Sequence, residues 1–301
     1  MEAFATAVEP SGVSSTTAIL LSITYTLLYV LPFYLLQSTR PTPTLDRDSP
    51  GVIRSRIRSV SITVILSNLL TFYVLITYGH YSVPNASHLL GLYPVSLSTL
   101  IRPLALTALL FLGPLYLTTI VHKSISPFRA LKHLRTWQGT RNYIAGPLTE
   151  ELLFRSAIIP LHILANYSSR SLILLTPLYF GIAHIHHLYE FRLTHPSAPV
   201  AAVLARTLFQ FAFTTVFGWY ASFVFLRTGC VWSVVLVHAF CNWMGFPKLW
   251  GKVRVWDEKQ GKLVDGGRTV VYYVLLVAGL ASFIMALRSR WDLGGQALVK
   301  L

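Results

Sequence analysis

Two glutamates stand side by side in an otherwise apolar stretch, Pro147-Leu148-Thr149-Glu150-Glu151, and Arg155 follows four residues after the second. On a helix Glu151 and Arg155 share a face as a buried ion pair, while Glu150 points about 100° away and is left for other work. Further on, His184 closes the words Tyr179-Phe180-Gly181-Ile182-Ala183-His184, and His238 and Asn242 lie four residues apart, so that they project from one helix face. A carboxylate beside an imidazole can take up and share the protons of an attacking water, a role that fits Glu150 with His184. Donors on a single face, His238 and Asn242, suit an oxyanion developing on a carbonyl. The chemistry open to this set is hydrolysis with water as nucleophile, because no Ser sits beside these groups in an elbow-type motif. Cys241 lies between His238 and Asn242 but points in a different helical direction, and reads as packing.

These groups have to be positioned by helices in a membrane. Of the 301 residues 53% are hydrophobic and only 12% charged, where a soluble domain carries about 25% charged residues. The 25 Lys and Arg against 11 Asp and Glu, a formal charge of +14, fall in short clusters between long uncharged runs. That pattern marks the flanks of membrane spans rather than a nucleic-acid face. Disorder, coiled coil and collagen are excluded, and two cysteines, Cys230 and Cys241, are too few for a disulfide framework.

A helical span takes about 20 apolar residues, and eight runs approach that length: 18–37, 60–78, 104–121, 143–165, 171–188, 200–226, 230–248 and 269–287. The expected fold is all-α, a polytopic membrane protein of about eight transmembrane helices around an intramembrane polar cavity. It forms a single integral domain over 1–301, with the motif-bearing core at 141–247. Pro32, Pro114, Pro147, Pro160 and Pro177 lie inside runs and imply kinks rather than boundaries, since neighbouring helices can satisfy the freed backbone. The first run lacks a basic n-region and a clear cleavage site, and reads as an uncleaved span.

Lys and Arg set the orientation. Residues 1–17 have none; Arg40, Arg47, Arg54, Arg56 and Arg58 crowd the first connection, Lys123, Arg129, Lys132, Arg135 and Arg141 the third, and Lys248, Lys252, Arg254, Lys259, Lys262 and Arg268 the last. The N-terminus is therefore expected outside the cytosol, with 38–59, 122–142, 189–199 and 249–268 inside it; the placement of 189–199 follows from parity, and the basic tail after 288 opposes the scheme mildly. Two sequons, at Asn85 and Asn166, fall on the outer side. The basic clusters read first as topology determinants, and the aromatic sixth run, Phe209 to Phe225, as packing and lipid contact.

Nine of the eleven acidic residues fall in connections or termini, leaving Glu150 and Glu151 as the carboxylates inside an expected span. At 1.5 Å per residue from the cytosolic boundaries, Glu150 lies roughly 10 Å deep, His184 roughly 6 Å, Asn242 roughly 9 Å and His238 roughly 15 Å. All four fall in the cytosolic half. An ionisable group at depth costs about 2.5–3.5 kcal/mol on insertion scales, so such a layer needs partners or a water-filled cavity. Two other readings use the same residues. One is a zinc hydrolase with Glu150, Glu151, His184 and His238 as ligands; the other is a proton-coupled transporter, disfavoured by the lack of internal repeats.

Taken in order on separate spans, Glu150-Glu151-x-x-x-Arg155, Phe180-x-x-x-His184 and His238-x-x-x-Asn242 resemble the three motifs of the CAAX prenyl protease 2 (Ras-converting enzyme) family, within the CPBP/ABI intramembrane proteases. The words Arg141-Asn142-Tyr143, Phe154-Arg155-Ser156 and Phe240-Cys241-Asn242 through Gly245-Phe246-Pro247 are closest to its eukaryotic members. The resemblance implies an eight-span endoplasmic reticulum membrane enzyme with its site towards the cytosol, which removes the last three residues from prenylated CaaX-box proteins such as Ras-like GTPases. It implies Glu150 and His184 as the residues that activate water, His238 and Asn242 as the oxyanion donors, and Glu151 and Arg155 as supports. No required cofactor, no metal ligand and no nucleic-acid partner follows from it.

Overall fold

The computed structural model describes residues 12–42, 47–122, 132–257, 261–289 and 291–300. Lys123, Arg129 and Lys259, counted above for topology, lie outside the described residues, as does the chain before Gly12.

Helix α1 (Ser15–Leu35) starts where the Ser14 hydroxyl accepts the Thr17 amide, an N-cap that satisfies one orphan donor. It bends at Leu31 because Pro32 has no N–H for the Leu28 carbonyl, and the Thr63 hydroxyl of α2 (Pro50–Thr77) donates to that carbonyl instead, at 3.0 Å. The same repair recurs at Pro103 in α4 (Leu97–Leu110), which follows the short α3 (Val83–Leu89): the Thr99 carbonyl that Pro103 cannot reach accepts from the Ser233 hydroxyl at 2.6 Å. Hydroxyls on neighbouring helices thus let proline sit inside these spans.

Pro114 behaves differently from the expected kink. Helix α4 ends at Leu110, the residue whose carbonyl Pro114 would have bonded, and α5 (Leu112–Val121) leaves at 87°. The single run expected over 104–121 is therefore a broken pair, and α4 begins seven residues earlier than that run.

Next comes α6, continuous over 137–164, then α7 (Ser169–Thr194), α8 (Val200–Thr228), α9 (Val231–Met244) and α10 (Arg268–Arg288). Gly229 separates α8 from α9 at φ 61°, where an added Cβ would collide with the Gln296 carbonyl; only glycine fits there. Among the described residues the strands are one hairpin, β1 (Val255–Asp257) and β2 (Lys262–Val264).

The protein is an all-α polytopic membrane protein. Five helices, α1, α2, α7, α8 and α10, are long and apolar enough to cross a membrane, and the bent α4–α5 pair would make six. The other two of the eight apolar runs became α6, which is interrupted by wide turns, and α9, which has only 14 residues. Outward-facing Leu66, Leu69, Leu208 and Val277 are exposed, as lipid contact requires. Helix α6 runs through the centre, with Leu153, Ala157, Ile158, Ile159 and Leu161 wholly buried.

Contacts separate the two ends of the bundle. At one, Arg47 and Arg56 pair with Glu190, Arg141 with Asp48, and Asn242 with the Asn142 backbone, so the connections around 47, 141 and 190 meet there. At the other, His88 approaches the Gln296 carbonyl, Arg102 pairs with Asp292, and the Ser169 hydroxyl donates to the Lys300 carbonyl. The connections around 88, 102 and 169 therefore meet the C-terminal segment at 292–300.

Candidate active site

Helix α6 holds its polar residues by departing from α-helical winding twice. Arg141–Ala145 and Leu152–Ala157 are π turns, each just ahead of a proline, Pro147 or Pro160, whose missing N–H falls to a carbonyl within the turn. Such i→i+5 turns concentrate at functional sites. Side chains of α2 bracket the second: Asn68 Nδ2 donates to the Leu152 carbonyl at 2.8 Å and the Thr71 hydroxyl to the Ala157 carbonyl at 3.0 Å. Between these braces Arg155 is turned inward, 1% exposed.

Arg155 lies 3.1 Å from Glu151 Oε1 and 3.0 Å from Oε2, as the i,i+4 spacing requires, and its guanidinium carbon sits 4.7 Å from the Phe180 ring centre and 5.9 Å from that of Phe217. Glu151 has no exposed surface. Its Oε1 also accepts from His238 Nδ1 at 2.6 Å across the α6–α9 interface, which fixes the ring and leaves Nε2 as the nitrogen facing onward. That nitrogen lies 3.7 Å from Glu150 Oε2. Phe217 packs on the same imidazole with ring centres 4.6 Å apart.

Glu150 makes no hydrogen bond to another described residue; its contact is the 3.7 Å approach of His238, a spacing that suits a bridging water better than a direct bond. Just beneath it the Thr149 hydroxyl donates to the Ala145 carbonyl at 2.7 Å and therefore accepts from Tyr29 at 3.1 Å. His184 stands where α7 tightens into a 3₁₀ turn; its Nδ1 is 2.8 Å from the Phe180 carbonyl. A carbonyl can only accept, so Nδ1 carries the proton and Nε2 is the ring's free acceptor. Asn242 Nδ2 donates to the Asn142 carbonyl at 2.9 Å, using one of its two N–H groups.

Glu150, His184 and Asn242 line one cavity of about 210 Å³, together with Tyr29, Phe33, Asn142 and Thr149. Three arginines, Arg47, Arg56 and Arg141, also line it. Of the residues expected at the site, Glu151 and Arg155 lie behind it, buried, and His238 links them to Glu150.

Glu190 corrects the count of buried carboxylates. The hydrophobicity pattern places it in a connection, yet α7 continues to Thr194 and buries it to 3% exposure. Arg47 at 3.0 Å, Arg56 at 2.7 Å and the Nδ1–H of His187 at 3.0 Å all converge on it. The i,i+3 spacing of His187 and Glu190 is visible in sequence; the arginines, more than 130 residues away, carry no local signal. Phe217 and Tyr29 were likewise missed, since an aromatic in a span reads as packing.

One group of three ligating side chains among the described residues, His186, His187 and Glu190, has its donor atoms within 4.8 Å of one another. The guanidiniums already on Glu190 oppose a cation there. Glu150, Glu151, His184 and His238, the zinc set considered from sequence, form no such group.

Comparison with known proteins places this chain in a family. The model of the Rce1-like family, type II CAAX prenyl endopeptidase, matches residues 132–244, which hold α6 to α9 and every residue just described on them. The "Probable CAAX prenyl protease 2" of Schizosaccharomyces pombe is 37% identical over 271 residues, covering 88% of this chain and 91% of that protein. "CAAX prenyl protease 2" of Saccharomyces cerevisiae is 32% identical over 89% of this chain and 93% of its own length, and the human protein of that name is 35% identical over 67% and 64%. No solved structure matches. Similarity of this extent, running nearly end to end in the two yeast proteins, means that the chain belongs to the CAAX prenyl protease 2 family.

Proposed function

We propose that the protein is an intramembrane endopeptidase that removes the C-terminal aaX tripeptide from prenylated CaaX proteins, Ras-like GTPases among them. The observation that carries this reading is a carboxylate, Glu150, whose oxygens take no hydrogen bond from another described residue and which shares a cavity with His184 and Asn242. In this mechanism a water held by Glu150 and the free Nε2 of His184 loses one proton to Glu150 as its oxygen attacks the carbonyl of the prenylated cysteine. The carbonyl oxygen, now negative, accepts from the spare Asn242 N–H and from His238 protonated at Nε2. The C–N bond breaks, and the released amine takes up the proton that Glu150 received. Glu151 orients His238, and Arg155 balances Glu151.

The site is proposed to face the cytosol from the endoplasmic reticulum membrane. Prenylated C-termini arrive from that side, and the cavity is lined by Arg47, Arg56 and Arg141, which belong to the basic clusters expected in the cytosol.

Incubating the purified protein with prenylated and unprenylated Cys-a-a-X peptides tests the proposal: a tripeptide is released from the first and not the second, and absence of tripeptide from both rejects it. Asn242→Ala is expected to lower turnover by about 10²- to 10³-fold, the cost of one oxyanion donor, with KM little changed; an unaltered kcat removes Asn242 from that role. Exhaustive chelation is expected to leave activity intact, whereas a loss restored by one metal alone would favour the zinc reading.

A further inference from the structure

Three guanidiniums line the cavity, and their present partners differ in kind. Arg56 is fully engaged: Nε and Nη2 both donate to the Thr39 carbonyl and Nη1 pairs with the buried Glu190. Arg47 is tied to the same carboxylate. Arg141 instead pairs through Nη1 with Asp48, a residue whose side chain is 47% exposed, and through Nε with its neighbour Asn142, while Nη2 makes no hydrogen bond to another described residue. An ion pair to so exposed a partner is weak and exchangeable.

Position along α6 makes Arg141 informative. It lies nine residues before Glu150, about 13 Å along a regular helix axis. On regular α-helix nine residues would also turn Arg141 about half a turn away from Glu150. The π turn at Arg141–Ala145 alters that phase, and both residues line the one cavity. Three extended residues span about 10 Å, and a hydrogen bond from a guanidinium to a carboxylate adds about 3 Å. The two lengths are of the same order, with the attacking water standing between Glu150 and the scissile carbonyl.

We propose that Arg141 binds the C-terminal carboxylate of the substrate, displacing Asp48, and that its distance from Glu150 sets the cut three residues from the chain end. The inference deepens the endopeptidase reading and rests on it. The ligand class is an α-carboxylate at the end of an extended peptide, recognised by a guanidinium that can meet it with two parallel N–H donors. The short helical ruler between Arg141 and Glu150 then does what a long specificity pocket would otherwise do: it measures length and is indifferent to most of the side chains between.

The test compares one farnesylated Cys-a-a-X peptide as free acid and as C-terminal amide, with the purified protein and its Arg141→Gln and Arg141→Lys variants. The unsubstituted protein is expected to favour the acid by about 10- to 100-fold in kcat/KM, mainly through KM, the worth of one charge-assisted contact. Arg141→Gln lowers the acid to the level of the amide and leaves the amide untouched, which also shows that the variant is folded; Arg141→Lys recovers part of the preference. Equal cleavage of acid and amide by the unsubstituted protein, or an equal loss on both in Arg141→Gln, overturns the inference while the endopeptidase reading stands. Cleavage of neither peptide by the unsubstituted protein overturns that reading itself.

Discussion

Glu150→Gln is expected to cut hydrolysis of a prenylated CaaX peptide by about 10²- to 10⁴-fold, the range that a positioned general base contributes, without loss of fold. The amide keeps the size and planarity of the carboxylate but cannot take the water's proton. Little else should change, because Glu150 makes no hydrogen bond to another described residue and its 3.7 Å approach to His238 is not a structural bond. Binding of an uncleavable prenylated peptide should therefore survive while kcat collapses. Loss of binding and thermal stability together with activity would show that Glu150 is a packing residue. His184→Ala should resemble it, since it removes the free acceptor left by the Nδ1–Phe180 bond.

Arg155→Met should destabilise the protein by about 3–5 kcal/mol, the cost of leaving a buried charge without its partner. Glu151, with no exposed surface, would keep only His238. Thermal unfolding in detergent should reveal the drop as a clearly lowered midpoint. Replacing both members, Glu151→Leu with Arg155→Met, should restore much of the stability, because an apolar pair of similar volume substitutes well for a buried ion pair. Activity should not return, because His238 would have lost the acceptor on Nδ1 that holds it beside Glu150. A double variant that is stable and active would reduce Glu151 and Arg155 to packing, and an Arg155→Met protein as stable as its parent would contradict the buried-charge argument.

Much of this was legible because membranes make polar residues conspicuous. Glu150, Glu151, Arg155, His184, His238 and Asn242 stood out against apolar runs, and helical spacing alone pairs Glu151 with Arg155, as found at 3.0 Å. Lateral contacts were not legible. Nothing in spacing says that Glu151 reaches across to His238, or that Phe217 lies against that imidazole rather than lipid. Glu190 escaped because helix α7 continues beyond the apolar run, and a hydrophobicity pattern ends a helix where polar residues begin, even when those residues are buried by ion pairs. The 87° break between α4 and α5 follows from Pro114, yet the hydroxyls that repair Pro32 and Pro103 come from distant helices, so sequence alone could not tell a broken helix from a mended one.

The central claim is that a water held by Glu150, and no side chain, attacks the prenylated cysteine's carbonyl. A single turnover with excess protein in ¹⁸O-labelled water, read by mass, tests it most directly. The account predicts an intact tripeptide without label and a prenyl-cysteine product whose new carboxylate carries one ¹⁸O from the first turnover. A first-turnover product bearing only ¹⁶O, donated by the Glu150 carboxylate through a covalent intermediate, would contradict it.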